Sequence, residues 1–151
     1  MRVRILVTGM SGTGKTSALA ELARRGFRTV DTDEPGWKDG ELWREDRMSE
    51  LLAEDGGTLF VSGTVENQAR FYGRFDAVVL LSAPADVMLA RIDARTGNPF
   101  GKSAAERARV LADLAEVEPL LRAGCTHELD ASRPLGEVVA DLARIGSGTW
   151  P

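Results

Sequence analysis

The sequence predicts a three-layer α/β/α domain in which helices cover both faces of a parallel sheet. Short apolar runs of strand length alternate with helical segments along all 151 residues, and the connections between them are short. The run at 77–81 is apolar at every position, as expected for a central strand that is buried on both faces. A glycine-rich stretch at 9–16 joins the first strand to the first helix. A chain of this length fits a single domain, 1–151.

The first half of the chain predicts three strands and three helices. The strands are expected at 3–8, 27–31 and 58–62, and the helices at about 16–25, 42–54 and 66–72. Gly26 ends the first helix, because glycine readily takes the left-handed conformation that follows a helix. Leucine and methionine side chains three to four residues apart favour the second helix, and Gly56-Gly57 ends it.

The second half predicts two further strands and three helices. The strands are expected at 77–81 and 126–129, and the helices at about 84–95, 103–118 and from 132–134 to 146. Pro84 suits a first helical turn, and Ser103 with Glu106 has the spacing of a capping box. Pro119 kinks or restarts the helix that precedes it.

Composition argues against several classes of partner. The net charge of −4 and the isoelectric point near 5.1 disfavour binding to nucleic acid or to an anionic membrane surface. The longest apolar run is far shorter than the roughly 20 residues that a membrane helix needs. The single cysteine, Cys125, cannot form an internal disulfide, which indicates a reducing cytoplasm. We therefore expect a cytoplasmic protein without nucleic-acid or membrane partners, a monomer with a dimer as the alternative.

The stretch Gly9-Met10-Ser11-Gly12-Thr13-Gly14-Lys15-Thr16 has the spacing of a phosphate-binding loop, G-x-x-x-x-G-K-T. The glycines allow the chain to turn so that backbone N–H groups form an anion site, to which the following helix adds its dipole. Lys15 can then reach the β- and γ-phosphates, and the Thr16 hydroxyl can ligate Mg²⁺. A chance match is the alternative, but the motif has the strand before it and the helix after it that it requires. The sequence therefore predicts a nucleoside triphosphate site.

Two carboxylates, Asp31 and Asp33, follow the second predicted strand. Ligands of open parallel sheets bind at the carboxyl ends of strands, so this pair should lie beside the phosphate-binding loop. One carboxylate could orient Mg²⁺-bound water while the other takes the proton of an attacking hydroxyl. A polar turn in which Asp33 caps the next segment is the alternative.

With these motifs the chain resembles the small P-loop kinases of the shikimate kinase and adenylate kinase (nucleoside monophosphate kinase) branch. The resemblance rests on GMSGTGKT at 9–16, DTD at 31–33, VSGT at 61–64, R-x-x-x-R at 91–95 and LDASRP at 129–134. It implies a five-stranded parallel sheet of order 2-3-1-4-5, an acceptor-binding segment at about 34–57 and a lid at about 95–103. It also implies that ATP is the donor, that Asp31 positions Mg²⁺ and that Asp33 holds the acceptor hydroxyl.

The chain departs from both families in ways that bear on the substrate. Ser62 stands where adenylate kinases carry an aspartate that helps to hold magnesium, so we expect the metal carboxylate to be Asp31. Gly63-Thr64-Val65 stands where shikimate kinases have a glycine triplet, and the acceptor segment is shorter than in a shikimate kinase. Neither shikimate nor a particular nucleoside monophosphate is therefore predicted as the acceptor.

Arg91 and Arg95 are candidates for contact with the transferring phosphoryl group. Four residues apart, they share one face of a helix. Gly97 and Gly101 would allow the following loop to close over the site. The alternative is a solvated arginine face beside an ordinary surface loop.

Further candidates come from the resemblance and from side-chain chemistry. Arg133 and Pro134 correspond to the adenine-contacting loop of the family, although they also suit a plain helix start. The candidates for acceptor binding are Asp33, Trp37, Trp43, Arg44, Arg47, Gly63 and Thr64. Aromatic side chains could stack on a ring and arginines could bind a phosphate or carboxylate, although each residue taken singly is more often packing or a solvated charge. Glu66, Asn67 and Gln68 lie where related kinases read the acceptor.

These inferences predict a kinase that uses ATP and Mg²⁺ to phosphorylate a small-molecule acceptor, either a nucleoside monophosphate or a small alcohol. The alternative is a nucleotide-dependent regulatory NTPase that acts on a protein partner. The N/T-K-x-D motif by which guanine-type switches read their base does not occur in the sequence.

Overall fold

The computed structural model describes residues 3–95 and 102–148, which form a parallel sheet with helices on both faces. The strands are β1 Val3–Thr8, β2 Arg28–Asp31, β3 Lys38–Asp39, β4 Leu42–Trp43, β5 Thr58–Ser62, β6 Ala77–Ser82 and β7 His127–Asp130. The helices are α1 Lys15–Arg24, α2 Glu45–Ala53, α3 Ala85–Ala94, α4 Ala104–Glu116, α5 Glu118–Gly124 and α6 Leu135–Gly146, with a 3₁₀ helix at Gln68–Arg74. None of the helices in these two ranges combines the length and the apolar character needed to cross a bilayer.

The five-stranded sheet has the order β2-β5-β1-β6-β7, and all of its pairs are parallel. When the small β3–β4 hairpin is left out of the count, this is the predicted order 2-3-1-4-5. The register aligns Val7 of β1 and Asp31 of β2 with the same residue of β5, Ser62. The turn after β2 and the loop after β1 therefore leave the sheet at the same edge.

Alternating residues of the central strands pack against different helices. Ile5 and Val7 belong to a core shared with α1 and α6, whereas Leu6 packs with α2 and the 3₁₀ helix. Leu80 of β6 packs with Met88 of α3 and contributes to a third apolar cluster with α4 and α5. Because both faces of β1 and β6 are covered, these strands are apolar almost throughout, as parallel strands buried on both faces are expected to be.

The predicted helix at 42–54 is wrong at its start. Leu42 and Trp43 pair with β3 in an antiparallel hairpin, and α2 begins only at Glu45. The Asn67 side chain accepts a hydrogen bond from the backbone N–H of Trp43 and donates one to its carbonyl, both at 3.0 Å. These bonds hold Trp43 in an extended conformation, while Leu42, which the helical pattern would bury, is exposed.

Other boundaries moved less. The segment predicted to be helical at 66–72 is the 3₁₀ helix Gln68–Arg74, and the long helix ends at Glu116, so that Pro119 lies in the first turn of α5. Ser103 accepts a hydrogen bond from the Glu106 N–H at 3.1 Å, which confirms the predicted N-cap of α4. Most of the predicted lid, including Gly97 and Gly101, lies outside the described residues.

Candidate functional site

The phosphate-binding loop lies between β1 and α1 as predicted, and its glycines are required by close contacts. A Cβ on Gly9 would lie 2.5 Å from the Leu81 carbonyl oxygen, and one on Gly12 would lie 2.6 Å from the Met88 carbonyl oxygen. Both glycines also have positive φ angles, 154° and 85°, which other residues rarely adopt. The loop therefore rests directly on the backbone of β6 and α3.

Two threonines hold the loop in its turned conformation. The Thr13 hydroxyl donates to the Met10 carbonyl at 2.8 Å. The Thr64 hydroxyl, from the segment after β5, donates to the Gly9 carbonyl at 2.6 Å and accepts from the Gly9 N–H at 3.2 Å. Thr64 was predicted to bind the acceptor, but its hydroxyl supports the phosphate-binding loop instead.

Lys15 folds back over the loop. Its Nζ donates to the carbonyl oxygens of Gly9 at 2.5 Å and Met10 at 3.2 Å. Desolvation of the half-buried side chain lowers the pKa of Lys15 to about 8, although Asp33 and Asp31 oppose this shift. The ammonium group is still mostly charged at pH 7, and an anion bound in the loop would raise its pKa again.

The two predicted carboxylates lie beside the loop but have different neighbours. Asp31 accepts hydrogen bonds from the Thr16 hydroxyl at 3.3 Å and from the Asp33 N–H at 2.9 Å. The Asp33 carboxylate instead pairs with Lys38 Nζ at 3.0 Å and is largely exposed. The hydroxyl of Thr16 and the carboxylate of Asp31 are hard oxygen donors side by side, which is the ligand chemistry that Mg²⁺ prefers.

A cavity of about 760 Å³, within the size range of small-molecule sites, lies beside the phosphate-binding loop and Asp33. The phosphate-binding loop, Asp33 and the arginines Arg91 and Arg95 form its polar part. The remaining wall is formed by Ala94, Ala131, Arg133, Leu135 and Val138. The cavity therefore has one end that suits phosphates and another that suits a flat apolar group.

Both candidate arginines, Arg91 in α3 and Arg95 directly after it, line this cavity. Arg91 Nη1 donates to the Thr13 carbonyl at 3.5 Å, a long contact that leaves the guanidinium close to the loop. Arg95 is near enough to Lys15 to contribute to the lowering of its pKa. Lys102, at the far end of the predicted lid, donates to the Arg95 carbonyl at 2.5 Å.

The predicted base-contacting pair is only partly placed at the cavity. Arg133 lines it and is held by Asp141 at 2.8 Å and by the Asp130 carbonyl at 3.1 Å. Pro134 is the N-cap residue of α6, and Leu135 follows it into the cavity wall. Arg133 and Leu135 therefore line the cavity from the turn that was predicted to contact the base, and Pro134 lies between them.

The predicted role of Trp43 in stacking on an acceptor is wrong. Its side chain is 2% exposed and packs in the core with Phe71, and its Nε1 donates to the Thr32 hydroxyl at 2.9 Å. Gly63, also predicted to bind the acceptor, is buried against the same group. A Cβ there would lie 2.3 Å from the Thr32 Oγ1 and 3.2 Å from the Trp43 ring. Trp43 and Gly63 therefore pack against Thr32 in the interior, beneath the turn that carries Asp31 and Asp33.

The other predicted acceptor residues lie on the surface of the same segment. The Arg47 guanidinium stacks on Trp37, 4.6 Å from the ring centroid, and donates to the Gly36 carbonyl. Arg44 is exposed and pairs with Asp46 at 3.6 Å. Of this set, Trp37 and Arg47 are the half-buried pair, and neither of them is among the residues that line the cavity.

Sequence reasoning missed Lys38 and Thr32. Lys38 reaches Asp33 because the β3–β4 hairpin turns the chain back, and no motif in the sequence indicates that hairpin. Asn67 and Gln68, expected to read the acceptor, are buried and bonded to the protein itself, so that of the three residues only Glu66 is exposed. The sequence has three polar residues in a row at 66–68, and no local pattern separates the two that are buried from the one that is exposed.

Comparison with known proteins places the chain in a family. A family model described as an AAA domain matches residues 5–112, well over half of the chain. Comparison with curated protein sequences gives no significant match.

Several solved structures share the fold over nearly their whole length. Shikimate kinase from Acinetobacter baumannii, in complex with shikimate, is 20% identical, and the alignment covers 100% of this chain and 97% of that one with a TM-score of 0.74. A gluconokinase from Sinorhizobium meliloti 1021 is 24% identical, with coverages of 97% and 94% and a TM-score of 0.63. Deoxyadenosine kinase from M. mycoides with bound dATP is 13% identical, with coverages of 95% and 98% and a TM-score of 0.67. The predicted fold and the predicted resemblance to small P-loop kinases are confirmed.

Proposed function

The chain belongs to the AAA domain family, and we propose that it is a kinase that transfers the γ-phosphoryl group of ATP to a hydroxyl group of a small molecule. The observation that carries this proposal is the position of Asp33, which lines the same cavity as the phosphate-binding loop, Arg91 and Arg95. A carboxylate there, separate from the one beside Thr16, suits a proton acceptor for an attacking hydroxyl. Similarity to kinases of shikimate, gluconate-type and nucleoside substrates supports the reaction class.

The donor site would bind ATP through the loop N–H groups and Lys15. Lys15 would leave the two loop carbonyls to which it now donates and bind the β- and γ-phosphates instead. The negative charge of the phosphates would keep its ammonium group protonated. Thr16 and Asp31 would hold Mg²⁺, which neutralises charge on the phosphate oxygens when it is bound. Leu135 and Val138 would pack against the base at the apolar end of the cavity.

In the transfer step, the acceptor oxygen attacks the γ-phosphorus while the bond from that phosphorus to the β,γ-bridging oxygen breaks. The hydroxyl proton passes to the Asp33 carboxylate, and ADP leaves with the electron pair of the broken bond. Arg91 and Arg95 would stabilise the charge that develops on the transferring group. Lys38 would have to yield its contact with Asp33 when the acceptor binds.

We propose residues 34–57 as the acceptor-binding segment and 95–103 as a lid, within one catalytic domain that spans 1–151 and works as a cytoplasmic monomer. Trp37 and Arg47 would contact the acceptor, since their stacked pair is half-buried. A nucleoside monophosphate and a small alcohol are both compatible with an aromatic face beside a guanidinium group.

Acceptor-dependent ADP release tests this function. A panel of nucleoside monophosphates, sugars, sugar acids and cyclic polyols would be incubated with Mg·ATP, and ADP would be measured with a coupled assay. We expect one chemical class to stimulate ADP release with stoichiometric phosphorylation of the acceptor, and Asp33→Asn to abolish that stimulation. Slow ATP hydrolysis that no small molecule stimulates, but that a protein partner does, would instead establish the regulatory NTPase.

A further inference from the structure

We propose that Asn67 is a positioning residue that fixes the Asp31–Asp33 turn from below, through Trp43 and Thr32. We call these three residues, Asn67, Trp43 and Thr32, the turn-support network. The inference rests on the proposed function, because it explains how the two carboxylates are aligned with the phosphate-binding loop.

The first link joins Asn67 to the backbone of Trp43. The Asn67 Oδ1 accepts from the Trp43 N–H and its Nδ2 donates to the Trp43 carbonyl, both at 3.0 Å. Asn67 is 9% exposed, so water competes little for these bonds. One amide side chain thus satisfies both backbone groups of the residue, as a neighbouring strand would, and it does so across 24 positions of sequence. This pairing sets where the indole lies.

The second link joins the indole to the turn. Trp43 Nε1 donates to the Thr32 hydroxyl at 2.9 Å, and that hydroxyl donates its own proton to the Ser62 carbonyl at 2.7 Å. The Thr32 N–H donates to the same carbonyl at 3.0 Å. Since a hydroxyl has one proton and an indole N–H can only donate, the direction of each bond is fixed. Thr32, which is fully buried, therefore has both its side chain and its backbone fixed.

The position of Thr32 determines where the carboxylates point. It lies between Asp31 and Asp33 in a turn that the Glu34 N–H closes by donating to the Asp31 carbonyl at 3.1 Å. Thr32 is one of the two central residues of this turn, so anchoring its side chain and its backbone fixes the backbone that carries both carboxylates. Asp31 then meets Thr16, and Asp33 lines the cavity. The network has little free volume, because Gly63 leaves no room even for a methyl group between Thr32 and Trp43.

The residue after Asn67 makes the matching connection to the donor side. Gln68 is 2% exposed, and its Nε2 donates to the Thr8 hydroxyl at 3.1 Å, at the end of the strand that leads into the phosphate-binding loop. The segment 64–68 therefore contacts both the phosphate-binding loop and the support of the carboxylate turn. A kinase needs these two sites in a fixed relation, because a displacement of about 1 Å can lower the rate of transfer by about 100-fold.

A purely structural role predicts a different outcome from a positioning role. If the network only satisfies buried polar groups, its loss lowers stability and leaves the folded enzyme with normal kinetics. If it positions the turn, the folded variants lose turnover and need more Mg²⁺, while ATP binding through the untouched loop stays near normal.

The test is Thr32→Val, which removes the hydroxyl and keeps the shape, with Thr32→Ser as the rescue and Thr58→Val as the matched control. The Thr58 hydroxyl also donates to a carbonyl, that of Gly146 at 2.8 Å, but at the opposite end of β5. Two quantities are measured on folded protein: the Mg²⁺ concentration at half-maximal ATP binding, by calorimetry, and kcat with whichever acceptor the panel identifies. For Thr32→Val we expect kcat to fall about tenfold or more with ATP affinity changed less than about twofold at saturating Mg²⁺. Thr32→Ser should restore both quantities, and Thr58→Val should alter neither.

Asn67 itself is tested by Asn67→Asp, in which an acceptor oxygen replaces the Nδ2 donor and faces the Trp43 carbonyl. We expect the same phenotype as Thr32→Val, and a double variant no worse than either single one, because residues that act as a unit are not additive. If Thr32→Val does not fold, Trp43→Phe removes the indole donor while it keeps most of the packing. Folded variants with wild-type kcat and Mg²⁺ requirement would overturn the proposal. If no acceptor is found, the proposed function fails, and the Mg²⁺ titration still decides whether the network positions Asp31.

Discussion

Replacement of Asp33 by asparagine separates catalysis from folding in this structure. The side chain is 68% exposed, and its ion pair with Lys38 at 3.0 Å involves a lysine that is itself 31% exposed. Solvent screening limits such a pair to ~0–1 kcal/mol of stability. For a domain of this size, 1 kcal/mol corresponds to a shift of about 2–4 °C in the unfolding midpoint. We therefore expect Asp33→Asn to unfold within about 4 °C of the wild type.

The effect on transfer should be far larger. Asparagine keeps the size of the side chain but cannot take the proton of the acceptor hydroxyl, and a positioned base contributes roughly 10²–10⁴-fold to rate. We expect acceptor-dependent kcat to fall by that factor, while calorimetry gives an ATP affinity near that of the wild type. ATP affinity should persist because Lys15 and Thr16 are unchanged.

Lys38→Met is the matched control, because it removes the same ion pair and leaves the carboxylate. Its kcat should stay within about fivefold of the wild type, the factor that corresponds to ~1 kcal/mol. Normal turnover by Asp33→Asn with a confirmed acceptor would refute the reasoning and reduce Asp33 to a cap of the following turn. Equal losses in Asp33→Asn and Lys38→Met would show that the ion pair, rather than the base, matters.

Four further predictions follow from the site. Lys15→Ala should abolish transfer and weaken ATP binding in calorimetry, because it removes the positive charge that would bind the β- and γ-phosphates. In the wild type, the pKa of Lys15 near 8 predicts that ATP affinity falls as the pH rises above about 8, by up to about tenfold per unit; constant affinity to pH 10 would contradict this. Arg95→Ala should lower kcat in steady-state assays with ATP affinity nearly unchanged, whereas a normal kcat would show that Arg95 takes no part in transfer. Trp37 emission should respond to acceptor binding in a Trp150→Phe background, while that of the buried Trp43 should change little.

The same lysine makes a linked prediction for stability. Its pKa is depressed in the folded protein from 10.5 to about 8, so the unfolded chain binds more protons than the folded chain between these pH values. The contribution of this group to the free energy of unfolding must therefore rise with pH across that window. Chemical denaturation of wild type and Lys15→Ala at several pH values measures the difference, and parallel curves would contradict the depressed pKa.

Short-range signals in the sequence were enough to predict the fold and the position of the phosphate-binding loop within it. The apolar runs identified β1, β5 and β6 because these inner parallel strands are buried on both faces, and burial of this kind needs no knowledge of the partner strand. The edge strands β2 and β7 are exposed or half-buried, and their prediction followed from the alternation of strands and helices. Gly9 to Thr16 and Asp31 with Asp33 each follow a strand directly. Parallel strands end at a common edge, so the proximity of the two motifs followed from the fold class alone.

The tertiary structure decided the outcome wherever a side chain had a choice of neighbours distant in sequence. Trp43 lies in the core and not in the acceptor cleft, because Asn67, 24 positions away, holds its backbone extended and the Thr32 hydroxyl accepts a hydrogen bond from its indole N–H. Lys38 faces Asp33 because a two-residue strand pairs back on itself, and such a short hairpin leaves no periodic pattern in the sequence. Thr64 supports the phosphate-binding loop from 55 positions away. The sequence determines which hydrogen-bonding and charged groups each side chain carries. Whether a side chain faces the core or the cavity depends on packing against residues distant in sequence, because that packing excludes water from one side of the segment.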